Sequence, residues 1–437
     1  MRWVPGVLLL AALASLLIAQ ARLNDSPTFL YTSAPQYDAT AWRHGGERFP
    51  KGSHLVLVTR DSHRDLAPGF FASSDAAVSY DGLRVLFAGR PHLQDRWQIW
   101  ETDIAAGSLK RVAPPTATST TDDFIRPLYL PDGRLVYTRV TPDGSAIEVL
   151  SPESGHSDVL THVPGRYLTD DILRDGRILF ESREELFTVY PDGTGVESLR
   201  CDHGPQRSGA RQVSSGDVVF IDRGQLARYT SALAVQEKLP TVDMELAGPV
   251  AEMTPDRWLV AARSRAGGAY GIRQIALNSR ALQDIESPPG VNAVEPVAAT
   301  ARVPPRQFPS GLVASRTTGN LLCLNARESM SPVDKAIHSV RLYTRDSAGQ
   351  EELLGQTTVA SDGSFYVEVP ADRPIRMELL DAEGARLQAE QHWFWMRPSE
   401  QRICVGCHAG PERAPENKVP EILTQILTPV PMAGRAQ

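Results

Sequence analysis

Cysteine is scarce in this chain: four residues in 437, at positions 201, 323, 404 and 407. A scaffold built on disulfides needs a denser set, so cross-linking cannot be what holds the fold. A charge excess of one sign is also lacking. The 45 basic and 52 acidic residues leave a net charge of -7 with no basic block, which excludes a nucleic-acid partner. Beyond the first twenty residues no stretch approaches the roughly 18 continuous apolar residues of a membrane-spanning helix. Nor is there a Ser-His-Asp order, a phosphate-binding glycine loop or a paired-carboxylate motif, which sets aside hydrolytic and nucleotide-dependent roles.

What is present begins with an export signal. Residues 1–21 carry one positive charge at Arg2, an apolar run from Val7, and small residues at Ala19 and Ala21 in an A-x-A pattern. This reads as a secretory signal peptide, with an uncleaved membrane anchor as the alternative. The run is short for a membrane span. The reading places the protein in the periplasm or otherwise outside the cytoplasm, soluble once the signal is removed. The length predicts two to three domains.

Residues 22–50 read as a polar lead with few strand signals. From about residue 51 a unit recurs in which a tight turn precedes a short apolar strand. Asp81 and Gly82 come before Arg84, Val85, Leu86 and Phe87; Asp132 and Gly133 before Leu135, Val136 and Tyr137; Asp175 and Gly176 before Ile178, Leu179 and Phe180. Weaker copies follow at Ser215 and at Asp256. The turn positions 81, 132, 175, 215 and 256 are spaced by 51, 43, 40 and 41 residues, which is the length of a four-stranded propeller blade. Asp-Gly supplies the positive-φ residue of a tight turn, and the alternation of branched and aromatic residues builds the strand. Five units are visible. Residues 54–59 and 312–324 would supply the strands of another, so residues 51–328 are expected to form a β-propeller of about six blades. A plain β-sandwich with coincidental spacing is the alternative.

After a proline-rich passage at residues 303–309 the pattern changes. Val340, Leu342, Phe365, Val367, Ile375 and Met377 sit in alternating runs separated by turns, which predicts a small antiparallel β-sandwich over residues 335–398. It leads through His392, Trp393, Phe394, Trp395 and Met396 into the most specific motif of the chain.

Cys404, Val405, Gly406, Cys407 and His408 form C-x-x-C-H, the attachment motif of c-type haem. Two thiols at this spacing bond covalently along one porphyrin edge, and the adjacent imidazole reaches the iron from one face. Residues 399–437 are accordingly expected to be a haem c-binding segment. A zinc or dithiol redox site is the alternative, since C-x-x-C serves both. For the second axial position His392 and Met396 are the local candidates, with Met432 further on; a methionine would raise the reduction potential, and an open position would admit a small molecule. Arg413 reads first as a solvated charge, with pairing to a propionate as the alternative, and residues 419–427 read as a short helix covering a haem edge. Cys201 and His203 form a C-x-H pair compatible with zinc; a Cys201 to Cys323 disulfide is the other reading.

Several of these segments together resemble the hydrazine synthase alpha subunit family. They are Ser79 to Gly82 with Trp97 to Trp100, Cys201 to Gly204, Gly319 to Leu324, Val369 to Pro374, and Cys404 to His408 followed by Gly410 to Arg413. The resemblance spans nearly all of the mature chain. It implies an N-terminal propeller followed by a middle domain with a covalent c-type haem, in an exported redox protein, with the Cys201 and His203 segment near the haem as a metal-holding element. Two departures accompany it. The family's alpha subunit is longer and bears a second haem, whereas this chain has one C-x-x-C-H. Its catalytic haem is associated with a tyrosine ligand just after the motif, whereas Ala409, Gly410, Pro411, Glu412 and Arg413 include none.

The first functional expectation is an exported mono-haem cytochrome acting in electron transfer or as a redox subunit, with a protein redox partner. The second is a hydrazine synthase-like haem enzyme acting on a small nitrogen compound. The third is a propeller interaction module in which the haem is structural.

Overall fold

The computed structural model describes residues 28–113, 121–183, 185–200, 206–231, 234–239, 243–279, 281–329, 335–346, 349–390, 392–406 and 416–432. They form eight four-stranded sheets. Six lie in the first 300 residues and give a propeller-like arrangement; two form a sandwich.

The recurring turns do what the repeat requires. Gly82, Gly133, Gly176 and Gly216 all have positive φ, between 76° and 98°, a conformation glycine enters without a Cβ penalty. Each leads into the second strand of a sheet: Arg84–Arg90, Leu135–Thr141, Ile178–Ser182 and Val218–Asp222. Burial falls from the inner strand outward. All seven residues of Ala72–Val78 are buried, while Leu109–Ala113 on the outer edge of the same sheet is largely open.

One sheet joins the two ends of this region. Phe29–Ala34 pairs with His54–Val58 on one side and with Asn292–Ala298 on the other, Phe29 opposite Ala298 and Ala34 opposite Asn292. The closing strand therefore comes from residues 22–50, where a polar lead is expected; Phe29 and Leu30 are fully buried. The expected strand at residues 54–59 is present in that same sheet. Residues 312–324 are not part of it. Thr318–Cys323 pairs instead with Phe365–Pro370 in the sandwich, because its buried residues Leu321 and Cys323 match the apolar face of that sheet.

The inner strand of every one of the six sheets breaks register near its middle, at Asp75, Arg126, Asp170, Gly209, Gly248 and Glu295. Such bulges re-aim a side chain. Here they bring charges together: Arg48 reaches Asp75 and Glu295, each at 2.5 Å, and Arg126 lies 3.4 and 3.5 Å from the same two carboxylates. All four side chains are at most 10% exposed. Burial opposes ionisation of Asp75, but Arg48 and Arg126 outweigh it and hold the carboxyl below its ordinary value.

The sandwich packs Gln401–Cys404, Thr318–Cys323, Phe365–Pro370 and Val430–Pro431 against Glu351–Thr358, Ser339–Arg345, Ile375–Leu380 and Arg386–Ala389. Its core includes Leu321, Val340, Leu342, Phe365, Val367 and Met396. The described part of residues 399–437 is joined to the sandwich. Two of their stretches are edge strands of the sandwich, both in parallel pairing. The expected helix at 419–427 shortens to Ile422–Gln425, anchored where the Ile422 N–H donates to Ser364 Oγ at 3.0 Å. No described helix is long and apolar enough to cross a membrane.

Candidate functional site: the cavity beside Cys404

The sandwich docks on the six-sheet region through one turn. The Trp395 indole N–H donates to the Gly193 carbonyl at 3.1 Å, and Arg397 Nε donates to the Asp192 carbonyl at 3.0 Å. Glu400 accepts the Gly195 N–H at 3.1 Å and the Arg397 N–H at 2.8 Å, while Arg402 grips it through two nitrogens. Every donor and acceptor here is backbone or well buried, so the seam is held by satisfied polar groups and not by apolar area alone. A strap spanning residues 299–317 runs between the two parts, and Phe308 on it stacks on Tyr190 with centroids 3.9 Å apart.

A cavity of about 1430 Å³, open to solvent, lies along this seam. That exceeds the roughly 300–1,000 Å³ typical of small-ligand and cofactor sites. One wall comes from the six-sheet region, with Phe180 and Phe187 stacked at 5.7 Å and Tyr167 beside them. The other is the sandwich, with Trp393, Phe394, His392 and Cys404. Arg345 lies 4.6 Å over the Trp393 ring, and Arg402 lies 5.6 Å over Phe394. Burial pushes the Tyr167 phenol up, and its hydroxyl donates to the Val163 carbonyl at 2.7 Å. It therefore stays protonated and is a positioning group for the wall.

Behind the seam, Arg397 Nη1 stands 2.5 Å from His162 Nε2 and 2.8 Å from Asp372 Oδ1. Burial lowers the His162 pKa to about 4; Asp372 works against that and Arg397 adds to it. The neutral ring accepts the guanidinium N–H at Nε2.

Of the expected site residues, the structure brings Cys404 and His392 to the same cavity. Cys404 ends the edge strand Gln401–Cys404 and is partly buried. Met396 is 0% exposed and belongs to the sandwich core. Its methyl sits 3.2 Å from where a Cβ on Gly319 would lie, so it fills a gap left by that glycine and does not face the cavity. Met432, 1% exposed, is core as well. Cys407, His408 and Arg413, and the Cys201 and His203 pair, lie outside the described residues. Among the described residues no three His, Cys, Asp or Glu side chains are grouped to hold a metal. The sequence alone did not single out Tyr190, Asp192, Gly193 or Arg397, whose roles arise only from the meeting of distant segments.

The cavity suits a flat apolar cofactor with acidic edges. Cys404 offers a thiol at its wall, aromatic rings offer faces, and Arg345 supplies a cation beside Trp393. Of the C-x-x-C-H residues only Cys404 is described, and it lies on this wall.

Fold and site together define a mainly β, propeller-like protein with a sandwich domain docked over a large seam cavity. Residues 325–409 match the hydrazine synthase alpha subunit middle domain. Hydrazine synthase subunit alpha of Kuenenia stuttgartiensis is 39% identical over 64 residues, 15% of this chain and 8% of that relative. The solved structure of Kuenenia stuttgartiensis hydrazine synthase superposes with a TM-score of 0.79 at 20% identity, covering 91% of this chain and 71% of that one. Residues 325–409 are thus similar to the hydrazine synthase alpha subunit middle domain, and the fold is similar to that of the solved hydrazine synthase chain.

Proposed function

We propose that this chain is an exported, hydrazine synthase-like haem c protein whose seam cavity is the chamber in which a small nitrogen compound meets the cofactor. The observation that carries the reading is that Cys404, the first thiol of C-x-x-C-H, lines a cavity of about 1430 Å³. A cavity of this size beside the attachment thiol gives a small molecule room to reach the cofactor, which favours this reading over the plain mono-haem cytochrome. A propeller module with a structural haem likewise leaves the chamber without a use.

In this reading the six sheets are the blades of a six-bladed propeller, and residues 1–21 direct export to the periplasm. Cys404 and Cys407 anchor the haem and His408 lies beside it; a bound haem supplies one-electron chemistry. His392, on the cavity wall, is the remaining local candidate for the opposite face. Arg345 holds a negative edge. Tyr167 and the stacked phenylalanines exclude water from the far wall. Zinc at Cys201 and His203 belongs to the same proposal, as does work beside partner proteins, a redox partner among them.

The test is to produce the full chain with a haem c maturation system and record its optical and electron paramagnetic resonance spectra with and without nitric oxide. Haem that stays on the denatured polypeptide, with a high-spin signal that changes on adding nitric oxide, is the expected result. A low-spin haem indifferent to nitric oxide would restore the electron-transfer reading. Loss of all haem on denaturation would remove covalent attachment.

A further inference from the structure

Cys323 and Cys404 stand directly opposite each other. Thr318–Cys323 and Gln401–Cys404 run parallel, with Leu322 opposite Ile403 and Cys323 opposite Cys404. The Leu324 N–H donates to the Cys404 carbonyl at 2.8 Å, which fixes that register. Side chains alternate between faces of a sheet. Ile403 is 64% exposed on one face, which puts Cys404 on the other face with Cys323, and both line the seam cavity. Two of only four cysteines are therefore nearest neighbours on one face.

We propose that Cys323 and Cys404 are the site of a disulfide in the haem-free chain. Neighbouring strands lie about 4.8 Å apart, inside the Cα separation of about 4.4–6.8 Å that a disulfide spans. The Cβ atoms must approach to about 3.5–4.5 Å, which asks one of the two strands to shift inward. Gln401–Cys404 can make that shift. It has four residues, sits at the sheet edge and is paired on one side only. Cys323 stays fixed, because its strand is held between two others and its side chain is 2% exposed.

Exposure sets the order of events. Cys404 is the more open thiol, so a disulfide oxidant such as oxidised glutathione, or an exported disulfide-exchange protein, reacts there first. One glutathione thiolate leaves and a mixed disulfide forms on Cys404. The Cys323 thiolate then attacks the Cys404 sulfur, and the second glutathione leaves with the electron pair of the broken bond. Two protein thiols and one oxidised glutathione become one protein disulfide and two reduced glutathiones. A dithiol reductant reverses the sequence. On the proposed haem c reading, this bond occupies the sulfur that attachment needs, so the pair governs when Cys404 becomes available.

The experiment uses the full chain made without haem c maturation. It is treated with oxidised glutathione, quenched in acid, alkylated, digested and examined by mass spectrometry. The expected product is a peptide pair joining Cys323 to Cys404, abolished by dithiothreitol. Cys404 found joined to Cys407, Cys323 joined to Cys201, or all four cysteines alkylated, with no link between 323 and 404, overturns the proposal. The wild-type chain decides it, so a misfolded variant cannot obscure the answer. A second arm compares covalent haem per polypeptide in wild type and Cys323→Ser under oxidising maturation; at least a twofold higher load in the variant is expected, and an equal load overturns the control of attachment. If no covalent haem appears in either chain, the haem reading fails while the linkage map still decides the disulfide.

Discussion

Arg397 Nη1 lies 2.5 Å from His162 Nε2, joining the sandwich to the six-sheet region through a guanidinium and a neutral imidazole. The pair makes stability depend on pH in a definable window. Burial, helped by Arg397 and opposed by Asp372, lowers the His162 pKa from 6.5 to about 4. The unfolded chain therefore binds a proton at a pH where the folded chain does not. Stability is complete above pH 6.5, falls as pH drops, and levels off near pH 4. The side chain is 15% exposed, and a shift of this size corresponds to at most about 3 kcal/mol. His162→Gln keeps an acceptor and removes the titration. Thermal midpoints measured from pH 4 to 7 should show a shallower slope in the variant; an unchanged slope would place the dependence elsewhere.

Trp395 reaches across the same seam. Its indole N–H meets the carbonyl of Gly193, a residue 202 positions earlier, and the ring is 3% exposed. Trp395→Phe keeps most of the apolar volume and leaves that carbonyl unpaired, at a cost of about 1–3 kcal/mol. Trp395→Ala also opens a cavity and should cost about 3–5 kcal/mol. Limited proteolysis of the strap at residues 299–317 reads the docking directly, and cleavage should speed up in the order wild type, Phe, Ala.

The parts of this molecule that were legible in the sequence are those with local signals. A glycine at φ 88° or 91° followed by alternating apolar residues announces itself, as at Gly133 and Gly176. Phe29–Ala34 was missed because its partner, Asn292–Ala298, lies at the other end of the region, and a pairing that distant leaves no trace in its neighbours. Thr318–Cys323 was assigned to the wrong sheet for a related reason: a short apolar strand carries no label for the sheet it joins. The seam cavity was invisible because it exists only between two folded parts. Met396 lies near the motif in sequence, yet its side chain fills the space over Gly319, a contact that only the folded sandwich creates.

The charges gathered by the inner-strand bulges give a sharper test of burial. Arg48 is 4% exposed and serves both Asp75 and Glu295. Arg48→Met leaves two buried carboxylates with less compensation, and removing one partner of a buried pair costs about 3–5 kcal/mol. Arg84→Met, whose partner is Glu101 and whose side chain is 48% exposed, should cost under about 1 kcal/mol. Because Arg48 and Arg126 hold the Asp75 pKa below 3.8 against the effect of burial, the contribution of this carboxylate is complete above that pH and is lost as pH falls below it. Thermal melts of the two variants at neutral pH, and of wild type down to pH 2, check both statements.

Gly176 and Gly133 provide a matched pair for the strap. Both have φ near +90°, at 91° and 88°, so alanine at either bears the same backbone penalty of about 1–2 kcal/mol. Their surroundings differ. A Cβ on Gly133 meets nothing within 4 Å, whereas one on Gly176 falls 2.5 Å from the Arg306 carbonyl oxygen. That oxygen belongs to a strap residue whose own N–H donates to the Arg174 carbonyl at 3.0 Å, so alanine at 176 must push the strap off its hydrogen bond. Gly176→Ala should be less stable than Gly133→Ala by a further roughly 1–3 kcal/mol. Trypsin should also cut after Arg306 faster in the 176 variant, while Gly133→Ala keeps the wild-type rate. Equal cutting in both would mean that the strap does not rest on this turn.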